Sequence, residues 1–388
     1  MKKLLSVLLV LLLVPLSVLG ELVSSATPVL VDQGLELGIH SLHYPQLTGG
    51  TDEALQAAIN DRILEAGDIT YLMARLGLVL SSEVPLTVSW EGTLTNDILS
   101  VTMDISGPVK DTRSTQLYAC VNLDVATGYV LTFADLFSDP DAAVADIEAY
   151  LEEQVAPVLS GYLEHDELLP LPETWSLSSS GITFYYPIDQ LSTLSSRAGA
   201  VTILWYELAD ELLLGEGTVL RRIGAEANLT LTQDTPALLA EALSGGRLPD
   251  LPVGLGDSMQ QATDTHHLLI DPDLCEGGRL FSLEDSRFRD VYLLTDDLTR
   301  TWENSVVQGI RCDRLNLYGL ITGHAAREDW LTVLGEPETT LTLDADRAEA
   351  WRLEPGISDY YTLGNVRLRL HCGEDGLLSS VFLLPGNE

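Results

Sequence analysis

Positive charge is scarce in this chain. Its 388 residues carry 21 Lys and Arg against 58 Asp and Glu, a formal net charge of −37. So acidic a surface repels nucleic acid and anionic lipid, and it draws cationic partners over a range that salt shortens. Simple solubility accounts for it as well. Cysteine is scarce too. Cys120, Cys275, Cys312 and Cys372 are widely spaced and form no Cys-x-x-Cys pair. An oxidising compartment would permit one bridge within the second half, leaving Cys120 and one other cysteine as buried thiols. Long apolar runs are missing beyond the first twenty residues, so no later segment could cross a bilayer. No cluster of metal ligands stands out either. His40 and His43 point to opposite faces of a regular strand. The acidic pairs Asp271/Asp273 and Asp344/Asp346 lack the glycine and glutamate of a calcium loop. No metal and no cofactor are expected.

The first twenty residues have their own character. Met1-Lys2-Lys3 precedes the apolar run Leu4–Gly20, broken at Pro15, which reads as a secretory signal over residues 1–26 with cleavage after Gly20 or Ala26. No cysteine near it offers a lipid anchor. The expected location is therefore outside the cell or on its surface, by the Sec route, with membrane attachment only if the signal stays uncleaved.

The stretch Ile98–Phe137 organises the first half of the chain. Leu99, Val101, Met103 and Ile105 alternate with polar neighbours, and so do Leu117, Ala119, Val121 and Leu123, which predicts two strands. Gly128 closes the turn after the second. Before it, Leu35–Leu47 reads as one strand with a phase slip near His40, and Leu55, Ile59, Ile63 and Leu64 stripe a helix opened by Asp52. After it, Asp139-Pro140 starts a helix, and Trp175–Ser178 with Ile182–Tyr186 makes a hairpin. Strands and helices that do not alternate strictly predict an α+β fold, with antiparallel sheets packed by helices in two domains. The domains are placed at 27–214 and 251–388, with a Gly- and Pro-marked linker over 215–250 that holds a chance glycosylation acceptor at Asn228. The second domain reads as a weak internal repeat of one helix with an antiparallel sheet. In it Val366, Leu368, Leu370 and Cys372 alternate with Arg367, Arg369 and His371, so one face is expected buried and the other basic.

Four pieces in order carry a resemblance: Tyr44–Asn60, ILSVTMDISG from Ile98, Leu123–Phe137 and Gly181–Leu208. Together they resemble the extracytoplasmic domain shared by RsiV-type anti-sigma factors and PdaC-type polysaccharide deacetylases. In the first the domain is a receptor for lysozyme, and in the second it accompanies a separate catalytic domain. The resemblance implies a binding module here. The second domain is loosely similar to BamE and to the β-lactamase-inhibitor-protein class, small modules that bind proteins.

The leading expectation is an exported, non-catalytic binding protein. Its partner would be a cationic, lysozyme-like protein or a cell-wall fragment, met by Tyr185, Tyr186, Pro187 and Asp189 at a hairpin end. Two alternatives stand beside it. One is a wall glycan or ester hydrolase with Ser258 of Gly256-Asp257-Ser258 as nucleophile, although the same residues suit a helix cap. The other is a scaffold or inhibitor acting through residues 251–388.

Overall fold

The computed structural model describes residues 27–50, 52–79, 83–109, 115–152, 171–186, 200–266, 268–275, 278–283, 286–295 and 304–386. The expected signal, residues 1–26, lies outside these. No helix among the described residues is long and apolar enough to cross a membrane.

The architecture is α+β in two domains, built on largely antiparallel sheets. The first domain starts with β1 (Val29–Leu37) and β2 (His40–Thr48), a hairpin. The single strand expected over Leu35–Leu47 is thus two, because Gly38 turns the chain at φ +67°. Helices α1 (Glu53–Ala66) and α2 (Ile69–Val79) then cross over to β3 (Thr87–Thr95). The crossover lets β2 and β3 pair in parallel. Asp52 caps α1 by accepting the Leu55 N–H at 2.9 Å.

β3 turns into β4 (Ile98–Gly107) through Asn96-Asp97, both at positive φ, the two-residue turn whose twist suits a hairpin. β5 (Thr115–Asp124) and the short β6 (Tyr129–Val130) complete a six-stranded sheet. The period of two divides β4 between two layers. Leu99, Val101 and Met103 are buried against α1 and α2, and each such side chain contributes about 1.5–3 kcal/mol. Ser100 and Thr102 face the other way and are buried too, at 3% and 4% exposure.

What covers that polar face is a second layer. After α3 (Pro140–Tyr150), capped by Asp139, come β7 (Trp175–Leu177), β8 (Gly181–Tyr185) and β9 (Ala200–Leu204), a three-stranded sheet. The seam is stitched by polar bonds. Ser100 Oγ accepts the Leu177 N–H at 2.8 Å and donates to Asn122 Oδ1 at 2.7 Å, and Asn122 Nδ2 donates to the Trp175 carbonyl at 2.6 Å. Buried hydroxyls and amides are tolerated because they satisfy one another.

Residues 215–250, expected as a linker, are folded. They hold α4 (Val219–Arg222), α5 (Ala225–Asn228) and α6 (Thr235–Ala242). Val219, Leu220 and Ile223 join the core of the three-stranded sheet, whereas Leu239, Leu243 and Leu248 join the core of the second domain. Asn228 is only 2% exposed. Its Nδ2 donates to the Ser179 carbonyl and its Oδ1 accepts the Tyr318 N–H, so its amide holds the junction and leaves no room for a glycan.

The second domain runs α7 (Met259–His266), β10 (Leu268–Cys275), β11 (Gly278–Leu283), β12 (Val291–Thr295), β13 (Gly309–Cys312) and the small ladder β14 (Asn316–Leu317) and β15 (Leu320–Ile321). It continues with α8 (Arg327–Leu334), β16 (Thr339–Leu343), α9 (Ala345–Trp351), β17 (Gly356–Leu363), β18 (Val366–Cys372) and β19 (Leu378–Pro385). The eight long strands form one sheet in the order 10-11-12-13-19-18-17-16. It is two four-stranded meanders, each preceded by a helix and joined last strand to last strand. Gly335 ends α8 at φ +81°. Under that helix Asp359, fully buried, accepts two bonds from Arg327, one from Trp330 Nε1 and one from Thr340 Oγ1.

Two expectations fail in this domain. The basic face of β18 is enclosed: Arg369 is 1% exposed and His371 0%. The expected bridge is not formed either among the described residues, since Cys120, Cys312 and Cys372 are free thiols. Cys312 and Cys372 lie on the strands flanking β19, two steps apart in the sheet. That is roughly 10 Å, too far for a disulfide.

Candidate functional site

The polar face of β4, the three-stranded sheet and the second domain meet around a cavity of about 280 Å³. It falls just below the usual range of ligand pockets, roughly 300–1,000 Å³. The first domain presents hydroxyls, among them Ser100, Thr102, Ser176, Thr183, Thr202 and Tyr185. Leu177 and Leu204 lie beside these, and the rest of the chain adds Leu248, Pro249, Leu251, Phe288 and Leu315 together with Arg287, Arg289 and Arg314.

Strand alternation aims the hydroxyls, since Thr183 and Thr202 are direct partners across β8 and β9. Their Oγ1 atoms bond each other at 2.8 Å. One of the two O–H groups donates in that bond, and the other keeps its proton for another acceptor. The same count holds for a second set. Thr102 Oγ1 donates to Tyr185 Oη at 3.2 Å, and Ser176 Oγ and Tyr185 Oη share one bond at 3.0 Å. One of that last pair therefore keeps a proton to donate. Burial pushes the Tyr185 phenol up to about 12, so it stays protonated.

Each arginine has a carboxylate partner. Arg287 Nη1 donates to Glu91 across the domain boundary. Arg289 lies 3.4 Å from Asp290 and donates to Tyr150 Oη at 2.8 Å. Arg314 donates from Nε and Nη2 to the two oxygens of Glu207, and from Nη2 to the Thr202 carbonyl at 2.8 Å. Its Nη1 has no hydrogen-bond partner among the described residues. Burial works against the Arg314 charge, but the Glu207 hydrogen bonds and charge outweigh it and raise its pKa. Asn316 Nδ2, donating to the Ser180 carbonyl at 3.1 Å, adds another bond between the domains. Gly319 allows a close approach of two backbones: at φ +85°, a Cβ there would come within 2.1 Å of the Leu231 backbone nitrogen.

Among the described residues no activated nucleophile lines the cavity. Its lining contains no histidine. Burial raises the pKa of the Cys312 thiol in its wall, and it pushes Cys120, bonded to Thr102 behind the wall, to about 12. A Ser–His contact does occur in the second domain, where Ser358 Oγ meets His371 Nδ1 at 2.9 Å, but both residues are 0% exposed. Ser258 acts as a cap, accepting the Gln261 N–H at 3.4 Å, while Asp257 is held by Arg247 at 2.6 Å. Asp264 accepts from Gln260.

The binding residues expected at the hairpin end are placed otherwise. Tyr185 is 3% exposed and stacks on Tyr118 at 4.7 Å, so it lines the cavity wall instead of an outer surface. Tyr186 is 0% exposed within the core of the three-stranded sheet. Neither can anchor a protein partner, because the second layer and the junction enclose them. Pro187 and Asp189 lie outside the described residues. The arginines of the cavity went unread in the sequence. Arg287-Phe288-Arg289, a cation–aromatic–cation triplet in so acidic a chain, was the available signal.

No family model matches the chain, and no curated protein matches it. Among solved structures it is similar to a member of the DUF3298 family from Bacteroides fragilis, at 13% identity and a TM-score of 0.33 over 51% of this chain and 96% of that one. It is also similar to a DUF3298 family protein of Pseudomonas aeruginosa, at 11% identity and a TM-score of 0.35 over 48% and 94%. A third likeness is to the DUF4309 family protein YjgB of Bacillus subtilis, at 12% identity and a TM-score of 0.27 over 40% and 97%.

Proposed function

We propose that the chain is a non-catalytic binding protein, working outside the cytoplasm, that takes a small polar ligand into the junction cavity. A cell-wall fragment is the ligand class that fits this reading. The observation that carries it is the cavity itself: hydroxyls that keep a proton to donate and apolar side chains line it together, with no activated nucleophile among the described lining residues. The signal-like start and the likeness to RsiV- and PdaC-type domains support the location. The test is calorimetric titration of the chain with a muropeptide digest, beside Thr202→Phe, which fills the cavity. Binding by the parent and none by the variant is expected. Equal binding by both would move the ligand elsewhere. The net charge of −37 favours a second reading, a cationic protein held on the outer surface. Pull-down of lysozyme across a salt series addresses it, and no capture at low salt would remove it.

A further inference from the structure

We infer, on the reading that this cavity binds a ligand, that its occupant is an uncharged, hydroxyl-rich ring, the chemistry of a neutral saccharide. Charge narrows the choice first. Arg287 is offset by Glu91, Arg289 by Asp290 and Arg314 by Glu207. A carboxylate entering the cavity would meet paired cations, with Glu91 and Asp250 also in the lining. It would give up its hydration for little net attraction. An ammonium would find Asp250 without a cation partner among the described residues, but it would also sit among three guanidinium groups, and the uncommitted Nη1 of Arg314 donates and cannot accept.

A neutral hydroxyl suits both sides. Arg314 offers two N–H groups from a side chain only 7% exposed. The Thr183/Thr202 pair and the Ser176/Tyr185 pair each offer one O–H. The same hydroxyl oxygens keep lone pairs, so they can accept in return. A sugar hydroxyl donates and accepts at one atom, as these groups require. Among the lining side chains Leu248, Leu251 and Phe288, whose ring carries the Arg287 guanidinium at 5.2 Å, offer apolar surface that suits the C–H face of a pyranose ring. An apolar occupant would cover that surface but leave the donors unmet.

The test uses three probes that share one ring. N-acetylglucosamine is neutral, N-acetylmuramic acid adds a carboxylate, and glucosamine carries an ammonium. Calorimetry or ligand-observed NMR on the full chain should rank the neutral sugar first, by about tenfold over either charged one. The double variant Thr183→Val/Thr202→Val removes both partners of one bond at nearly constant shape, so its melting temperature should match the parent. It should bind N-acetylglucosamine about tenfold more weakly. Tighter binding of the acid or the amine overturns the inference, and so does an unchanged affinity in the folded double variant. If none of the three sugars binds while muropeptides still bind the parent and not Thr202→Phe, the neutral-ring inference falls and the cavity reading stands. If muropeptides bind neither protein, both fall.

Discussion

Arg369 and Arg314 are both almost wholly buried, yet their guanidinium groups are used differently. Arg369 lies among rings, 4.6 Å from the centre of Trp351, 4.5 Å from Phe382 and 5.6 Å from Tyr360, and its Nε donates to Ser358. Its neighbours repeat the motif. Arg367 stacks on Tyr360 at 4.5 Å, and Arg311 on Tyr292 and Phe382. Arg311 also donates to the carbonyls of Trp351 and Arg352, which fastens the end of α9. That layer is closed, and its cations act as packing. At the junction, by contrast, Arg314 lies over one ring, Tyr150 at 5.8 Å, is held by Glu207 and the Thr202 carbonyl, and keeps Nη1 open. The same residue type is cement in one place and a donor awaiting an acceptor in the other. What decides is whether the surrounding rings and carboxylates close over the whole guanidinium.

Replacing each arginine in turn puts the contrast at risk. Arg369→Ala would empty the space between three rings and leave Ser358 with His371 as its one remaining side-chain partner, destabilising the fold by about 3–5 kcal/mol in urea titration. Its effect on ligand binding at the cavity should be nil wherever the protein remains folded. A loss below about 1 kcal/mol would show the ring stack to be incidental. Arg314→Lys keeps the charge but loses the two-pronged bond to Glu207, and should cost about 2 kcal/mol. Sugar binding should fall with it, and retained affinity would take Arg314 out of the site. A smaller loss belongs to Ser258→Ala. With only a cap to lose, it should destabilise α7 by about 1 kcal/mol, and a broad esterase screen should find no activity that depends on it. A hydrolytic activity present in the parent and absent from this variant would revive the nucleophile reading.

Much of the fold was legible because its signals are local. The β4–β5 hairpin follows from alternation around Val101 and Val121, α1 and α3 from the caps Asp52 and Asp139, and the end of α8 from Gly335. α2 is harder to read: Ile69, Leu72, Met73 and Leu76 recur at helical spacing after Asp68, but Tyr71 and Leu78 on its exposed side blur the stripe. Residues 215–250 misread as a linker because Gly245-Gly246 and Pro249 mark turns whether or not the chain between them packs. The basic stripe on β18 shows the limit of a two-residue period. It separates Arg369 from Leu370 correctly, but it cannot say that α9 and the rings of Tyr360 and Phe382 enclose the arginine side. The cavity was further out of reach. Its walls come from β3 and β4, from β7 to β9, from the stretch around Leu248 and from residues 287–291 and 312–316, segments that only the folded chain brings together.

The smallest expected effect concerns the two domains' histidines, which should respond to acid in opposite senses. Burial holds His371 below its ordinary pKa of 6.5, and the positive charges of Arg369 and Arg311 act in the same direction. Its bonds fit the neutral ring: Ser358 Oγ, which receives Arg369 Nε, donates to Nδ1, and Nε2 donates to the Glu354 carbonyl at 2.9 Å. In the unfolded chain the ring takes up a proton near 6.5 that the folded ring refuses, so this contribution to stability declines as pH falls through that value. His43 runs the other way. Hydrogen bonds from its ring to Glu36 and Asp32, each 2.7 Å, raise its pKa, so its contribution is full below 6.5 and lost as pH rises through the raised value. Its side chain is 37% exposed, and solvent screens the pair. Melting curves of the parent and of His371→Gln between about pH 7.5 and 5.5 separate the two. The difference between them should shrink toward the acid end, while that between the parent and His43→Gln should widen slightly. If the His371 difference instead grows on acidification, the ring is charged in the folded state, and the closed layer around Arg369 must hold two cations side by side.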